Sequence, residues 1–208
     1  GDKTVNVLEI WSRIKGDNLN SGNYSAKLQS QYVALFGIGA FAAGNVFVGK
    51  FLKIDGTDGI LRFGRPFTSR PSKLVLYYRY VAGTVDYSTL SELPKNSKDM
   101  GSIYIALGDW PHQTFEGETD IPVLVKTKPA DRQLFDSNSS NVIGYGECIL
   151  KESTEGEGLI KLEFPINYRS NRKPTDIILV GSASRYGDYF TGSTGSTLWL
   201  DDLELIYE

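Results

Sequence analysis

The sequence is poor in the residues that build disulfides, metal centres and redox sites. Its 208 residues include one cysteine, one histidine and one methionine. The single Cys148 excludes an intrachain disulfide and a cysteine-based zinc cluster in this chain, and we interpret it as a small buried residue of a strand. The single His112 excludes a multi-histidine metal site. It also leaves a serine or cysteine triad with one available base, which argues against a hydrolytic triad.

Charge and hydropathy argue against two further classes of protein. The chain has 25 acidic and 22 basic residues, with a net charge of −3, and its Lys and Arg are scattered. Because there is no basic stripe to meet a phosphate backbone, we expect no nucleic-acid partner. No apolar run approaches the length of a membrane span, and no charged-then-apolar leader is present.

The residues that are abundant favour strands and tight turns. There are 12 tyrosines, 10 phenylalanines and 22 glycines, a composition that suits strands joined by turns. Apolar residues alternate at period two most clearly over residues 73–81, where Leu74 and Leu76 share a face with Tyr78 and Tyr80. With no amphipathic helix of three turns and no linker-like stretch, the pattern predicts one all-β domain over residues 1–208, either a sandwich or a barrel.

The remaining predicted strands share this alternation or an apolar run bounded by turn residues. They cover residues 5–11, 24–33, 46–53, 59–63, 102–107, 121–126, 142–150, 159–166, 176–181 and 197–207. The longest irregular span covers residues 87–101, and long loops on a sandwich are common places for binding groups.

Five motifs give the sequence a family resemblance. Three lie in the C-terminal third: NYRS at 167–170, SASRYGDYFTG at 182–192 and GSTLWLDDLEL at 195–205. Two lie upstream: AAGNVFVGKF at 42–51 and GRPFTSRP at 64–71. Together they resemble the putative carbohydrate metabolism domain family of Bacteroidetes surface proteins, and the resemblance extends from about residue 24 to the end.

The resemblance implies a fold and a setting, without a mechanism. It implies a jelly-roll β-sandwich similar to carbohydrate-binding modules and galactose-binding-like domains. It also implies an exported protein at the cell surface or in the periplasm, lipid-anchored through a removed N-terminal segment, with a neighbouring N-terminal domain. A polysaccharide or oligosaccharide is the expected partner. The resemblance assigns no catalytic residue to this chain.

The last predicted strand contains a conflict between pattern and polarity. Asp201 interrupts an apolar row of odd positions that begins at Trp199, so regular register turns its carboxylate inward, where it needs donors or a cation. In many galactose-binding-like and carbohydrate-binding sandwiches, an Asp of a similar strand helps hold a structural calcium ion, here with Glu9 as the second acid. The alternatives are a β-bulge that turns Asp201 and Asp202 outward, or a carboxylate that caps turn amides.

Trp110 is the best single candidate for a platform under a sugar ring. A pyranose stacks its C–H face on an aromatic plane while neighbouring polar groups bind its hydroxyls, and Asp109 lies beside Trp110 in the sequence. The alternative is that Trp110 is a hydrophobic plug at the end of the sandwich.

The loop 182–195 is the second candidate for a carbohydrate site. It gathers aromatic and charged residues within a few positions of one another: Arg185, Tyr186, Asp188 and Tyr189. Such a loop could shape a ligand cleft. It could equally be a structural clamp in which Asp188 accepts backbone N–H bonds.

Catalysis needs a pair of acids, and the sequence offers several. Asp109, Asp188, Asp201 and Glu147 are available, and Glu147 shares a strand face with Tyr145. Our leading hypothesis is nevertheless a glycan-binding or adhesion module without catalysis. The alternatives are a glycoside hydrolase or polysaccharide lyase, which predicts two facing carboxylates or an acid beside Tyr and Arg, and a structural support domain that binds no glycan.

Overall fold

The period-two segments of the sequence fold as antiparallel strands. The computed structural model describes residues 11–12, 24–35 and 38–207. In this part of the chain the secondary structure is β-strand apart from one turn of 3₁₀-helix, Gly187–Tyr189. The strand predicted over residues 5–11 lies almost wholly outside the described residues. The predicted strands 73–81 and 142–150 are confirmed with the bounds predicted.

One sheet has five strands that pair antiparallel with their neighbours. In spatial order they are β1 (Trp11–Ser12), β2 (Ser25–Gln29), β18 (Thr197–Ile206), β9 (Lys73–Val81) and β15 (Ile160–Pro165). The predicted strand 24–33 is interrupted at Ser30, whose buried hydroxyl lies 2.7 Å from that of Ser184. The chain continues from there as β3 (Gln31–Leu35), which pairs with β4 (Ile38–Ala42).

The second sheet faces the first across the main core. Its strands in spatial order are β16 (Asn167–Tyr168), β14 (Val142–Leu150), β10 (Gly101–Gly108), β17 (Asp176–Ser182) and β5 (Asn45–Phe47), with β8 (Arg65–Pro66) beside β17. The chain passes from β9 to β10, from β14 to β15 and from β17 to β18, so it changes sheet repeatedly. This crossing between antiparallel sheets confirms the predicted all-β class and its jelly-roll sandwich architecture.

The main core lies between these two sheets and consists of one face from each strand. Leu74 and Leu76 of β9 belong to the same buried cluster as Ile103 and Ile105 of β10. Burial of a side chain of this size contributes about 1.5–3 kcal/mol, so the alternation that predicts the strands also accounts for the packing of the sheets.

A second apolar layer covers part of the outer face of the second sheet. Three strands form it: β6 (Gly49–Asp55), β7 (Asp58–Phe63) and β13 (Val123–Lys126). Phe63 of β7 and Val125 of β13 pack with Ile178 and Val180 of β17. A further hairpin joins β11 (Gln113–Phe115) to β12 (Glu118–Ile121). Tyr104 of β10 and Tyr145 of β14 pack against the same cluster. Glu147 lies two residues beyond Tyr145, on the same face of β14.

The inward orientation predicted for Asp201 is wrong, because β18 contains a bulge. Before the bulge, Leu198 and Leu200 enter the core, whereas after it Leu205 packs against the same core. The register shifts between Asp201 and Glu204, and the extra residue exchanges the two faces of the strand. Asp201 therefore lies on the outer face, opposite Tyr77 of β9, as one of the alternatives predicts.

Candidate functional site

A fully buried carboxylate holds the loop 182–195 in place. Asp99 is 0% exposed and accepts hydrogen bonds from the Ser184 hydroxyl at 2.6 Å and the Ser193 amide at 2.8 Å. Its other oxygen accepts a bond from the Met100 amide at 2.8 Å. Burial raises the pKa of Asp99, and hydrogen bonds from Ser184 and Ser193 oppose that effect. Asp99 thereby connects the long irregular loop to both halves of the loop 182–195.

Between Ser184 and Ser193 the loop turns back on itself. The Gly187 amide donates to the Ser184 carbonyl, and the Tyr189 amide donates to the Tyr186 carbonyl. A Cβ at Gly187 would lie 2.2 Å from that of Ala43, so the close approach of the loop requires glycine here.

An ion pair joins this loop to strand β14. The Arg185 Nε and Nη2 atoms donate to Glu147 Oε1 at 3.1 and 3.0 Å. The Nη1 atom donates to the Tyr186 hydroxyl oxygen at 3.2 Å. Both members of the ion pair are partly exposed, so the Arg185 and Glu147 side chains present a charged surface to solvent.

Aromatic rings pack beside this ion pair. The Tyr104 and Phe135 rings stack with centroids 5.5 Å apart and an interplanar angle of 6°. The Tyr145 ring lies 6.1 Å from that of Tyr104. Burial and the neighbouring Glu147 carboxylate raise the pKa of Tyr145, so its hydroxyl keeps its proton at neutral pH and can donate a hydrogen bond.

Asp188 supplies a second carboxylate near the same tyrosines. Burial raises the pKa of Asp188, and Arg132 opposes the shift. Burial also raises the pKa of Tyr104. The nearby charges of Asp188 and Glu147 raise it further. The Arg132 guanidinium lies 4.8 Å from the centroid of the Tyr189 ring. The clamp alternative requires backbone N–H groups to donate to the Asp188 carboxylate. Among the described residues no backbone N–H does so.

These residues lie next to one another, and we call them the Glu147 cluster. It consists of Tyr104, Arg132, Tyr145, Glu147, Arg185, Tyr186, Asp188 and Tyr189. The structure thus brings together the four residues predicted from the loop. Arg132 was not predicted, because it lies in an irregular segment far away in sequence and only the fold places it here.

Trp110 and Asp109 lie outside this cluster. Trp110 is 7% exposed in the second apolar layer, with its ring edge-on to Phe135 at 6.3 Å. The structure therefore places it as the hydrophobic plug of the alternative, with no open face for a sugar. Asp109 is partly exposed, 3.6 Å from the Arg172 guanidinium and 3.4 Å from the Thr175 hydroxyl.

The calcium site proposed at Asp201 and Glu9 stays a prediction. Glu9 lies outside the described residues. Asp201 Oδ1 accepts a hydrogen bond from the Asp202 amide at 2.9 Å, whereas its buried Oδ2 has no hydrogen-bond partner. In residues 24–35 and 38–207 no three His, Cys, Asp or Glu side chains are grouped so that they could hold a metal ion.

Comparison with protein families assigns the chain to a family. A sandwich of two antiparallel sheets is an architecture that lectins share with unrelated domains, so the fold alone does not assign a function. The family model of the putative carbohydrate metabolism domain matches residues 11–206, so the chain belongs to that family. A search of the curated proteins found no match.

Two solved structures share the fold. One is described as a putative glycoside hydrolase from Bacteroides thetaiotaomicron, with 22% identity, a TM-score of 0.65, and coverage of 96% of this chain and 57% of that one. The other carries the same description and comes from Bacteroides vulgatus, with 23% identity, a TM-score of 0.62, and coverage of 96% and 78%. Within the described residues, no helix is long and apolar enough to cross a membrane.

Proposed function

We propose that the chain is a glycan-binding module of an exported surface protein, and that the Glu147 cluster contacts the glycan. The observation that supports this is the convergence of Arg185 and Tyr186 with Glu147 and Tyr145 on one partly exposed sheet face. A carboxylate and a guanidinium fixed by mutual bonds accept from and donate to sugar hydroxyls in set directions. The tyrosine rings beside them supply apolar area for the C–H face of the sugar.

Fixed geometry favours binding at this surface. The Arg185 guanidinium lies 5.3 Å from the Tyr186 ring centroid while it pairs with Glu147, so three side chains restrain one another. Side chains that are ordered before the ligand arrives lose less conformational entropy on binding. The cluster can therefore bind a hydroxyl-rich ligand without rearrangement of the sheet.

Replacement of Glu147 tests this proposal. A glycan array identifies ligands, and calorimetry then compares wild type with Glu147→Gln. Hydrogen bonds to charged groups contribute about 1.5–3 kcal/mol, so we expect affinity to fall about tenfold or more. Glu163→Gln is the matched control, because Glu163 forms a similar ion pair with Lys161, 3.2 Å away, on the first sheet. Equal affinities for wild type and Glu147→Gln, or no ligand on the array, would contradict the proposal.

Glycan cleavage is the second candidate, favoured by one observation. Glu147 lies beside both Tyr145 and Arg185, which is an arrangement predicted for a glycoside hydrolase or polysaccharide lyase. A second carboxyl group, that of Asp188, acts on Tyr104 together with Glu147. Burial raises the pKa of Asp188, which is the direction of shift that a general acid requires. Incubation with polysaccharides, followed by assays for reducing ends and unsaturated uronates, decides between the two. Product formation that Asp188→Asn abolishes would establish an enzyme, whereas binding without any product supports the module.

Export is part of the same proposal and has its own test. Antibody labelling and protease treatment of intact cells should detect the protein at the surface, and its removal by lipoprotein-specific detergent extraction would indicate a lipid anchor. Recovery only from the cytosolic fraction would contradict a surface location.

A further inference from the structure

A polar groove lies apart from the Glu147 cluster. It has a volume of about 630 Å³ and lies where the β2–β3 connection meets the long irregular loop and the end of the loop 182–195. We call it the tyrosine groove, and the lining residues used below are Gln29, Gln31, Tyr32, Tyr87, Lys95 and Thr194.

One wall of the groove is a stack of aromatic rings. The Tyr32 and Tyr87 rings are nearly parallel, with centroids 5.1 Å apart and an interplanar angle of 12°. The Phe41 ring, from the residue that pairs with Tyr32 across the β3–β4 hairpin, lies 6.0 Å from the Tyr87 ring. The backbone of Tyr87 exchanges hydrogen bonds with Gly192, while Tyr32 remains 46% exposed. The wall is thus fixed in position and still offers aromatic surface to a ligand.

The polar groups of the groove have few partners within the protein. Over the described residues, the carboxamides of Gln29 and Gln31 make no side-chain hydrogen bond. The Lys95 ammonium lies 6.0 Å from the Tyr87 ring centroid. Among the residues that the structure describes, it has no acidic partner. The Asp86 carboxylate is already occupied, because it accepts bonds from the amide and hydroxyl of Thr194.

We infer that the tyrosine groove is a second saccharide site. The ligand class, a saccharide, rests on the proposed function. The location of the groove does not depend on the Glu147 cluster. A pyranose ring presents C–H groups that pack on tyrosine, and its hydroxyls both donate and accept, as the two carboxamides require. Lys95 donates to a sugar hydroxyl or carboxylate at the rim. A single cation is too little for a nucleic-acid backbone, and the polar lining is unsuited to an apolar ligand.

Nuclear magnetic resonance of the intact chain locates binding at either surface. Amide spectra are recorded with cellohexaose, xylohexaose, mannohexaose and oligogalacturonate as separate probes. We expect at least one probe to shift the amide signals of residues 29–32, 86–87 and 194–195. If every shift is confined to residues around Glu147, the groove inference is overturned while the proposed function stands. Shifts in the groove alone support the inference and reject the Glu147 cluster, and no shift with any probe rejects both.

Substitutions in the groove give a second measurement. Tyr32→Ala and Gln31→Ala should each weaken binding of the shifting probe by about tenfold, in line with the loss of one aromatic contact or one set of hydrogen bonds. Tyr207→Ala is the matched control, because Tyr207 is similarly exposed and does not line the groove. Gln31→Ala also guards against a folding defect, since it removes a side chain without internal bonds. Unchanged affinity in both groove variants overturns the inference.

Discussion

Removal of the Asp99 carboxylate should destabilise the protein strongly. The side chain is fully buried, and Asp99→Ala deletes the acceptor of three hydrogen bonds. The Ser193 amide and the partly buried Met100 amide would then lose their acceptor, while the Ser184 hydroxyl would keep only Ser30 as a partner. Each such group costs about 1–3 kcal/mol, so we expect a loss on the order of 3–5 kcal/mol in the free energy of unfolding. In a chain of this size that corresponds to a melting temperature lower by roughly 10 °C.

Two variants make this result specific. Asp99→Asn keeps one oxygen acceptor and the side-chain shape, so it should cost only about 1–2 kcal/mol. Asp131→Ala serves as the control, because Asp131 is exposed and its ion pair with Lys126 contributes about 0–1 kcal/mol. Calorimetry and urea unfolding measure all three. If Asp99→Ala changes the free energy of unfolding by less than about 0.5 kcal/mol, as a surface substitution does, the assigned network does not hold the loops.

The pH dependence of the free energy of unfolding, compared between wild type and Asp99→Asn, tests the raised pKa of Asp99. Since its folded-state pKa lies above the ordinary value of 3.8, the folded protein keeps this proton to higher pH than the unfolded chain does. The stability that Asp99 contributes is therefore fully present below about pH 3.8 and declines as pH rises through the folded pKa. The stability difference between wild type and Asp99→Asn should shrink over that interval. A difference that grows with pH would mean that the folded-state pKa is lowered.

Three further predictions concern residues away from the loops. Trp110→Ala removes a buried ring, so it should lower the free energy of unfolding by about 3–5 kcal/mol and leave glycan affinity unchanged. Lost affinity at intact stability would restore the platform assignment. Gly108→Ala should cost about 1–3 kcal/mol by calorimetry, since its Cβ would lie 2.4 Å from the Trp110 ring, and an equally stable variant would contradict that packing. Asp201→Asn should lower the free energy of unfolding by about 1 kcal/mol or less. Calcium should not change the melting temperature of chelator-treated wild type. A calcium-dependent rise in melting temperature that Asp201→Asn abolishes would establish the metal site.

The strands could be predicted because their evidence is local. In β9 and β14 one face enters the core, so the period-two pattern and the flanking turn residues determine both the strand and its bounds. The same local pattern fails at β18. A bulge adds one residue without changing the composition of the strand, and Asp202, at the bulge, adopts a φ of 46°, which few residues other than glycine adopt. A strict alternation therefore assigned Asp201 to the wrong face.

The candidate site could be predicted only in part, because its members come from distant segments. The loop residues Arg185 and Tyr186 are adjacent in sequence, and their charge and aromaticity suffice to single them out. Glu147, the partner of Arg185, lies 38 residues away. Its position in the strand predicts which face of the sheet its side chain occupies, but not which residues cover that face. Trp110 shows the opposite limit, since a tryptophan beside Pro111 at a strand end is compatible with a plug or a platform until its burial is known.

The two proposed surfaces share one structural support. The loop 182–195 contributes Arg185 to the Glu147 cluster and Thr194 to the tyrosine groove. Asp99 binds this loop at Ser184 and Ser193, each of which directly precedes one of those two residues. The anchor lies in the chain segment that also carries Lys95. A buried carboxylate is costly to keep, and an apolar residue of similar volume can often replace a buried charge without loss of stability. What an apolar residue cannot do is accept bonds from two separate turns, so Asp99 fixes the relative placement of the two surfaces.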